Sequence, residues 1–204
     1  MNGTDRELDL RQVTEEVAAD PGSWARFRER VRTTFDESAE RYELRLADDH
    51  LASLGAALAD VPAVRRALDL GCGTGVAAEL VADRFPQAWV CGLDLSERMI
   101  AVAVGKRHRR PVRFVVGDAS VLPFADGTFD LVTSVAVPVF PSEVARVLAP
   151  AGAAIAAFPL GERTPIFLPE DQLARLYRDH GLAPVAHGRS GRGTFSRATK
   201  PATA

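Results

Sequence analysis

The sequence of 204 residues has few cysteines, little net charge and no long apolar run. Its two cysteines, Cys72 and Cys91, have neither metal-site nor redox-pair spacing, so we expect buried thiols in a reducing compartment. The net charge of −2 argues against nucleic acid as a partner, because phosphate binding needs a basic surface. No apolar run approaches the roughly 20 residues of a membrane helix. A disulfide scaffold and a membrane-spanning chain are therefore not expected.

The first residues, MNGTDRELDLRQ, are charged and lack the apolar core of a signal peptide. We therefore expect a cytoplasmic location. The chain length and the hydrophobic content of 47% suffice for one globular domain with a full core, without disulfides or metal ions. We expect no metal site and no membrane partner, and either a monomer or a homodimer.

Strands and helices alternate from about residue 64 onward, after a charged helical segment. In that segment Trp24, Phe27, Val31 and Phe35 recur at three- and four-residue steps, which is typical of a helix with one apolar face. A second helix is predicted from near Asp48 to Ala59, and Ser96 is the predicted N-cap of a later helix, ERMIAVAV. The seven predicted strands lie within VRRALDL, AWVCGLDL, VRFVVGD, FDLVTSVAV, GAAIAAF, LAPVAH and TFSRAT.

Strands that alternate with helices of about 10–15 residues form parallel sheets, whereas two strands joined by a short turn pair antiparallel. The sequence therefore predicts an α/β fold with a Rossmann-like, doubly wound sheet of seven strands. The sheet should be mostly parallel, with an antiparallel final strand. We expect residues 1–62 to form a helical lid and residues 63–204 to form the core of one globular domain.

The stretch ALDLGCGTGVAAEL predicts a glycine-rich turn between a strand and a helix. Its glycines are Gly71, Gly73 and Gly75, and Val76 stands where the dinucleotide fingerprint G-x-G-x-x-G requires its third glycine. Asp69 precedes the turn, and a fixed carboxylate there would repel a pyrophosphate but suit an ammonium group. The turn therefore favours a cationic ligand without phosphates over a nicotinamide dinucleotide.

Carboxylates also end the next two strands. Asp94 follows the glycines by about twenty residues, where an acid can accept hydrogen bonds from ribose hydroxyls. Asp118 ends the third strand, where it can accept a hydrogen bond from an exocyclic amine such as that of adenine. Together with Asp69, these residues describe a ligand with an amine, a ribose and a base. S-adenosylmethionine has all three, and a sulfonium charge in addition.

Four segments, LDLGCGTG, GLDLS, VVGDASVLPFADGTFDLV and EVARVLAPAG, resemble in order and spacing the motifs of class I S-adenosylmethionine-dependent methyltransferases. The resemblance covers roughly Val64 to Phe158. It is closest to the small-molecule branch, with its ubiquinone/menaquinone-type and natural-product tailoring enzymes. It implies S-adenosylmethionine as cofactor and methyl transfer to O, N or C of a small, apolar metabolite.

The resemblance also implies a set of cofactor-binding positions. The implied residues are Tyr42 in a lid helix, Asp69 near the methionine amino group, the loop residues Gly71, Cys72, Gly73 and Gly75, Asp94 at the ribose, Leu95, Asp118 and Ala119 at the adenine, and Ser134 at the methionine moiety. His50 lies in the helical region that the resemblance places over the site. It is the candidate general base.

Methyl transfer is an in-line displacement in which positioning and exclusion of water supply much of the acceleration. A base is needed only where the acceptor's proton must leave early. The segment TSVAVPVFP lacks the Asn/Asp-Pro-Pro-aromatic motif of amino-directed enzymes and has no cysteine nucleophile. Two alternatives stay open: an RNA or protein methyltransferase, favoured by the basic run Lys106–Arg110, and a non-catalytic cofactor-binding protein, favoured by the short segment PVFPSEV.

Overall fold

The computed structural model describes residues 8–202. Residues 1–7, which begin the predicted lid segment and the charged stretch MNGTDRELDLRQ, lie outside the described residues. Residues 203–204, the last two of the predicted core segment, also lie outside them. None of the helices within residues 8–202 is long and apolar enough to cross a membrane.

Seven strands and seven α-helices follow one another along the described chain. Their bounds are α1 Leu10–Ala19, α2 Trp24–Ser38, α3 Ala52–Leu58, β1 Arg66–Leu70, α4 Val76–Arg84, β2 Trp89–Asp94, α5 Glu97–Gly105, β3 Val112–Val116, β4 Phe129–Val135, α6 Pro141–Val147, β5 Leu148–Phe158, α7 Glu170–Asp179, β6 Ala183–Ser190 and β7 Gly193–Thr199. Short 3-10 turns lie at Pro21–Ser23, Ala39–Arg41, Glu43–Arg45 and Gly161–Arg163.

The strands form one sheet in the order β3-β2-β1-β4-β5-β7-β6. Strands β1 to β5 pair in parallel, and β7 pairs antiparallel with both β5 and β6, so β7 alone runs against the others. The predicted seven-stranded, doubly wound α/β sheet with an antiparallel final strand is confirmed. The strand order reverses between β1 and β4, the point at which open α/β sheets bind ligands.

Local sequence explains where several elements begin. Ser96 has an extended backbone and its Oγ accepts the Met99 N–H at 3.0 Å, so it caps α5 as predicted. Helix α1, which the sequence analysis did not predict, starts at an Asp9 cap and buries Val13 and Val17. The helix predicted from near Asp48 starts only at Ala52, because residues 48–51 form a turn.

Two apolar clusters cover the two faces of the sheet, and a third joins the N-terminal helices. One face packs on α6 and α7 and includes Leu173 and Tyr177, while the other packs on α3 and α4. The third cluster consists of residues of α1 and α2 with Phe140, which follows β4. The helices α1 and α2 are thereby held at the carboxyl edge of the sheet.

Candidate active site

A cleft of about 700 Å³, counting its open mouth, lies where β1, β2 and β4 end, with α2 on its outer side. Small-molecule sites fall in this size range. The glycine turn forms the floor of the cleft, the end of β2 forms one wall, and the segment after β4 forms another. The lining residues are Trp24, Val31, Arg32, Phe35, Tyr42, Gly71, Gly73, Leu93, Asp94, Leu95, Ser96, Met99, Gly117, Ala119, Val135, Ala136, Val137, Pro138, Phe140 and Ile166.

The glycine turn gives the cleft a floor of bare backbone. Gly71 has a φ of 60°, and a Cβ there would lie 2.3 Å from Cγ2 of Val137. Gly73 has a φ of 53°, and a Cβ there would contact the Tyr42 ring at 3.7 Å. Both residues therefore need to be glycine, Gly71 for space and both for their left-handed backbone. A ligand can approach the main chain closely at this floor.

Phe114 of β3 packs behind the turn and fixes its shape. A Cβ on Gly75, whose φ is 92°, would lie 2.7 Å from Phe114 Cζ. A Cβ on Gly92 would lie 2.9 Å from Phe114 Cδ1 and 2.8 Å from Cys72 Sγ. The Cys72 side chain thus points into the core, where burial raises the pKa of its thiol well above the ordinary value. Cys72 therefore presents no thiolate to the cleft and is not among the residues that line it.

Asp94 is the acidic group of the cleft. Its Oδ2 accepts the Gly73 N–H at 2.7 Å and its Oδ1 accepts the Ser96 N–H at 2.8 Å. Burial, opposed by these hydrogen bonds and reinforced by the nearby Asp36, raises the pKa of the Asp94 carboxyl. A carboxylate has about four acceptor sites, so each oxygen keeps capacity for a ligand hydroxyl.

Asp69, the first acid of the sequence motif, does not line the cleft. Its side chain is 1% exposed, and its Oδ1 accepts the Thr133 hydroxyl at 2.7 Å. Its Oδ2 has no hydrogen-bond partner. Burial, with a further contribution from Asp94, raises the pKa of Asp69 to about 7, against the lowering effect of the Thr133 hydrogen bond.

The Asp118 carboxylate is held by the N-terminal helix α2. Trp24 Nε1 donates to both of its oxygens, at 2.9 and 3.1 Å, and the Ser120 N–H donates to Oδ1 at 2.9 Å. The neighbours Gly117 and Ala119 line the cleft, whereas the Asp118 side chain does not. The predicted acceptor for an adenine amine therefore already has an indole donor.

The remaining predicted residues divide between the cleft and its surroundings. Leu95 lines the cleft and packs on the third apolar cluster, and Tyr42 lies across Gly73 with its pKa raised by burial and by Asp94. Ser134 is buried within β4, with Oγ 3.4 Å from the Ile155 carbonyl, and does not line the cleft.

His50 is not among the residues that line the cleft. It lies in the turn before α3, beside Asp49, which forms an ion pair with Arg192 in the β6–β7 turn. Burial lowers the pKa of His50, with a smaller opposing effect of Asp49. The sequence placed His50 on a helix over the site, but the chain turns there and docks on the hairpin instead.

Sequence reasoning missed two residues that fix α2 to the core. Asp36 Oδ1 accepts the Ser96 hydroxyl at 2.6 Å and the Arg98 N–H at 3.2 Å, so it adds a carboxylate to the N-terminus of α5. Trp24, besides its bond to Asp118, packs edge-on against Phe140 at 5.5 Å between ring centroids. The partners are far apart in sequence, and no local pattern could have paired them.

The basic run Lys106–Arg110 is largely neutralised by carboxylates. Arg109 and Arg110 lie 3.7 and 3.8 Å from Asp83, and Lys106 lies 2.8 Å from Glu43. The His108 side chain is 14% exposed and contacts a glutamate of α4. Three cations of the run, Lys106, Arg109 and Arg110, thus have carboxylate partners, although Arg109 is 88% exposed.

Most of the remaining lining is apolar and includes Val137, Phe140, Ile166, Phe35 and Val31, while Arg32 and Ser96 also line the cleft. No histidine, lysine or glutamate is among its described lining residues. Within residues 8–202, His, Cys, Asp and Glu side chains form no group of three or more suited to a metal ion. The arrangement can hold a polar, ribose-like group at Asp94 and an apolar one beside it.

A ligand cleft at the switch point of a doubly wound sheet defines a Rossmann-like binding protein. A family profile described as "Methyltransferase domain" matches residues 67–152. The chain is 38% identical over 173 residues to the demethylmenaquinone methyltransferase of Beutenbergia cavernae, a match that covers 76% of this chain and 68% of the relative. The chain belongs to the class I S-adenosylmethionine-dependent methyltransferases, and S-adenosylmethionine is its cofactor.

Other similarities are shorter or more distant. The fatty-acid O-methyltransferase of Mycolicibacterium smegmatis is 41% identical over 104 residues, 48% of this chain and 38% of the relative. A chain from the complex between the Haloferax volcanii Trm112 methyltransferase activator and a methyltransferase has a TM-score of 0.71 at 21% identity, covering 82% of this chain and 97% of that one. At that identity the likeness concerns the fold.

Proposed function

We propose that the protein transfers the methyl group of S-adenosylmethionine to a small, apolar acceptor. The observation that carries this proposal is the composition of the cleft, in which the Asp94 carboxylate and bare glycine backbone adjoin a wall of Val137, Phe140 and Ile166. Relatives named for demethylmenaquinone and for fatty acids support an apolar acceptor.

The chain's own residues fit the cofactor. Asp94 has acceptor capacity for ribose hydroxyls, and the Gly71–Gly73 backbone leaves room for the methionine end. Leu95 and Ala119 line the same cleft, where an adenine ring can pack between them and the Ala119 N–H can serve a ring nitrogen. Asp69 is buried behind the floor and does not line the cleft, so it does not contact the cofactor. Bound S-adenosylmethionine supplies the electrophilic methyl group and a neutral thioether leaving group.

The described part of the N-terminal segment, residues 8–62, serves as the lid. Helix α2 and Tyr42 cover the cleft from outside and are tied to the core at Asp118 and at Ser96. A closed lid excludes water and aligns the acceptor with the methyl group, which is where most of the acceleration arises.

Among the described lining residues there is no histidine, lysine or glutamate, and the one arginine, Arg32, is ion-paired with Glu29 and Asp36. This composition narrows the class of acceptor further. Tyr42 carries the one phenol among the described lining residues. Because its pKa is raised above the ordinary value, this phenol stays protonated at neutral pH. We propose that the acceptor brings an acidic O–H or C–H whose proton is released to solvent, such as an enol, a quinol or a carboxylic acid. His50 has no part in this scheme.

The test combines cofactor binding with product detection. We expect calorimetry to give binding of S-adenosylhomocysteine and none of NAD. Asp94→Ala should weaken that binding by about 1–3 kcal/mol, because charge-assisted hydrogen bonds to the ribose are lost. The control Asp171→Ala changes an acid of α7 whose side chain is 80% exposed and should leave binding unchanged. Methyl-labelled cofactor with fractionated metabolites, read by mass spectrometry, then identifies the acceptor. Binding of NAD without S-adenosylhomocysteine would refute the proposal.

A further inference from the structure

Lys106 differs from the other cations of the basic run because its ammonium group lies close to three acceptors from different segments. Its Nζ lies 2.8 Å from Glu43 Oε1, 2.9 Å from the Thr74 carbonyl oxygen and 3.9 Å from Glu79 Oε1. Its side chain is 26% exposed. An ammonium group has three N–H donors, and here two of them have close acceptors while the third lies toward a carboxylate.

Two of these acceptors are sequence neighbours of residues that line the cleft. Glu43 directly follows Tyr42 and begins the 3-10 turn Glu43–Arg45 of the N-terminal segment. Thr74 lies within the glycine turn, next to Gly73, whose backbone the Tyr42 ring covers. Lys106 therefore holds the residue after Tyr42 and the residue after Gly73 on a single cation, and Tyr42 and Gly73 themselves line the cleft.

The neighbouring cations have other partners. Arg109 and Arg110 pair with Asp83 of α4. This pair lies on the outer surface, and Asp83 is far from the N-terminal segment in sequence. The His108 ring contacts Glu79 through Nδ1 and the Ala103 carbonyl through Nε2. A charge run that serves only solubility would not distribute its members in this way.

We propose that Lys106 is a positioning residue that ties the Tyr42 segment to the glycine turn and so tightens cofactor binding. This inference rests on the proposed function of the cleft. The cofactor would bind in the cleft that Tyr42 and Gly73 both line, and loss of the Lys106 contacts would free the Tyr42 segment without altering any side chain that lines the cleft. The Lys106 contacts would therefore raise the affinity for the cofactor and keep the N-terminal segment ordered.

A double-mutant cycle on the full chain tests the connection. Because Glu43 is partly exposed, each change should be modest: Lys106→Met weakens S-adenosylhomocysteine binding about 3- to 10-fold and Glu43→Gln about 2- to 5-fold. The double variant should bind no more weakly than Lys106→Met, since both changes break the same link. Arg109→Met removes a cation from the same run, with a side chain 88% exposed, and should leave affinity unchanged.

Limited trypsin digestion gives the second measurement. Arg41 and Arg45 flank the Tyr42 turn and are exposed, so cleavage after them reports release of this segment. We expect cleavage there to be faster in Lys106→Met and Glu43→Gln than in wild type or Arg109→Met, with and without ligand. A purely structural role for Lys106 would instead speed cleavage throughout the chain.

The outcomes separate this inference from the proposed function. Wild-type protein that binds no S-adenosylhomocysteine refutes the function, while the digestion pattern still tests the tie between the Tyr42 segment and the glycine turn. Unchanged affinity and digestion in Lys106→Met, or losses that add fully in the double variant, overturn the inference. If Lys106→Met does not fold, Glu43→Gln alone decides, since it changes one oxygen to an amide nitrogen on a partly exposed side chain.

Discussion

The buried carboxyl of Asp69 should make the stability of the protein depend on pH, and Asp69→Asn should remove that dependence. The side chain is 1% exposed and one of its oxygens has no partner. Burial raises the pKa of Asp69 from an ordinary 3.8 to about 7, with the Thr133 hydroxyl opposing and Asp94 reinforcing the effect. The folded protein therefore keeps a proton here that the unfolded chain gives up.

The magnitude follows from that difference in pKa. Between about pH 4 and pH 7 the folded state binds one more proton than the unfolded state, so this group lowers the free energy of unfolding by about 1.4 kcal/mol per pH unit. The total loss is about 4 kcal/mol and is complete above about pH 7. The stabilising contribution of Asp69 is fully present below the pKa of its carboxyl in the unfolded chain. Asparagine does not titrate, so its contribution to the free energy of unfolding does not change with pH.

Urea unfolding from about pH 4 to about pH 8, followed by tryptophan fluorescence, measures this effect. The free energy of unfolding of Asp69→Asn minus that of wild type should rise with pH by up to about 4 kcal/mol, and titrating groups that do not interact with Asp69 cancel in the difference. Asp171→Asn, an exposed acid of α7, serves as the control and should give a flat difference. A flat difference for Asp69→Asn as well would show that Asp69 is ionised in the fold at all these pH values.

Three further substitutions test contacts around the cleft by urea unfolding. Gly71→Ala should cost about 1–3 kcal/mol, because a Cβ at this left-handed position meets Val137 at 2.3 Å. Trp24→Phe should cost about 1–3 kcal/mol, because the Asp118 carboxylate loses its indole donor. Ser96→Ala should cost about 1 kcal/mol through loss of the N-terminal cap of α5.

Each of these has an internal comparison. Gly55→Ala, within α3 and with no atom within 4 Å of the added Cβ, should stabilise the protein slightly, because alanine has the higher helix propensity. Trp89→Phe changes a tryptophan that is 44% exposed and should cost less than Trp24→Phe. Asp9→Ala removes the cap of α1, as Ser96→Ala does for α5. If Gly71→Ala were as mild as Gly55→Ala, the close packing against Val137 would be refuted.

Local patterns predicted the fold well where each strand is bounded by its own turn signals. The run of strand, glycine turn and helix around Gly71 and the cap at Ser96 are local, and both fall where expected. Helix α1 was missed because it buries mainly Val13 and Val17, too few apolar positions for a clear period among charged residues. The fourth strand ends earlier than predicted, at Val135, because Ala136 takes a φ of 53°.

Contacts of the site between distant segments could not be read from the sequence. Lys106 meets Glu43 across 63 residues and Thr74 across 32, so a charge run was the only visible signal. His50 has the residue type of a base, but only the three-dimensional path of the chain shows that it does not line the cleft and that its neighbour Asp49 pairs with Arg192. Residue type and period are local properties, whereas a binding site is assembled by topology.

The packing of Phe114 against both Gly75 and Gly92 has a consequence for how this sequence can change over generations. A side chain at either glycine would require a smaller residue at position 114, and a small residue there alone would leave a void behind the cofactor turn. Gly75 would still have its left-handed φ of 92°, and a Cβ on Gly92 would still lie 2.8 Å from Cys72 Sγ. Each single substitution at these three positions should therefore lower stability, and we expect the three residues to be retained together wherever this turn is kept.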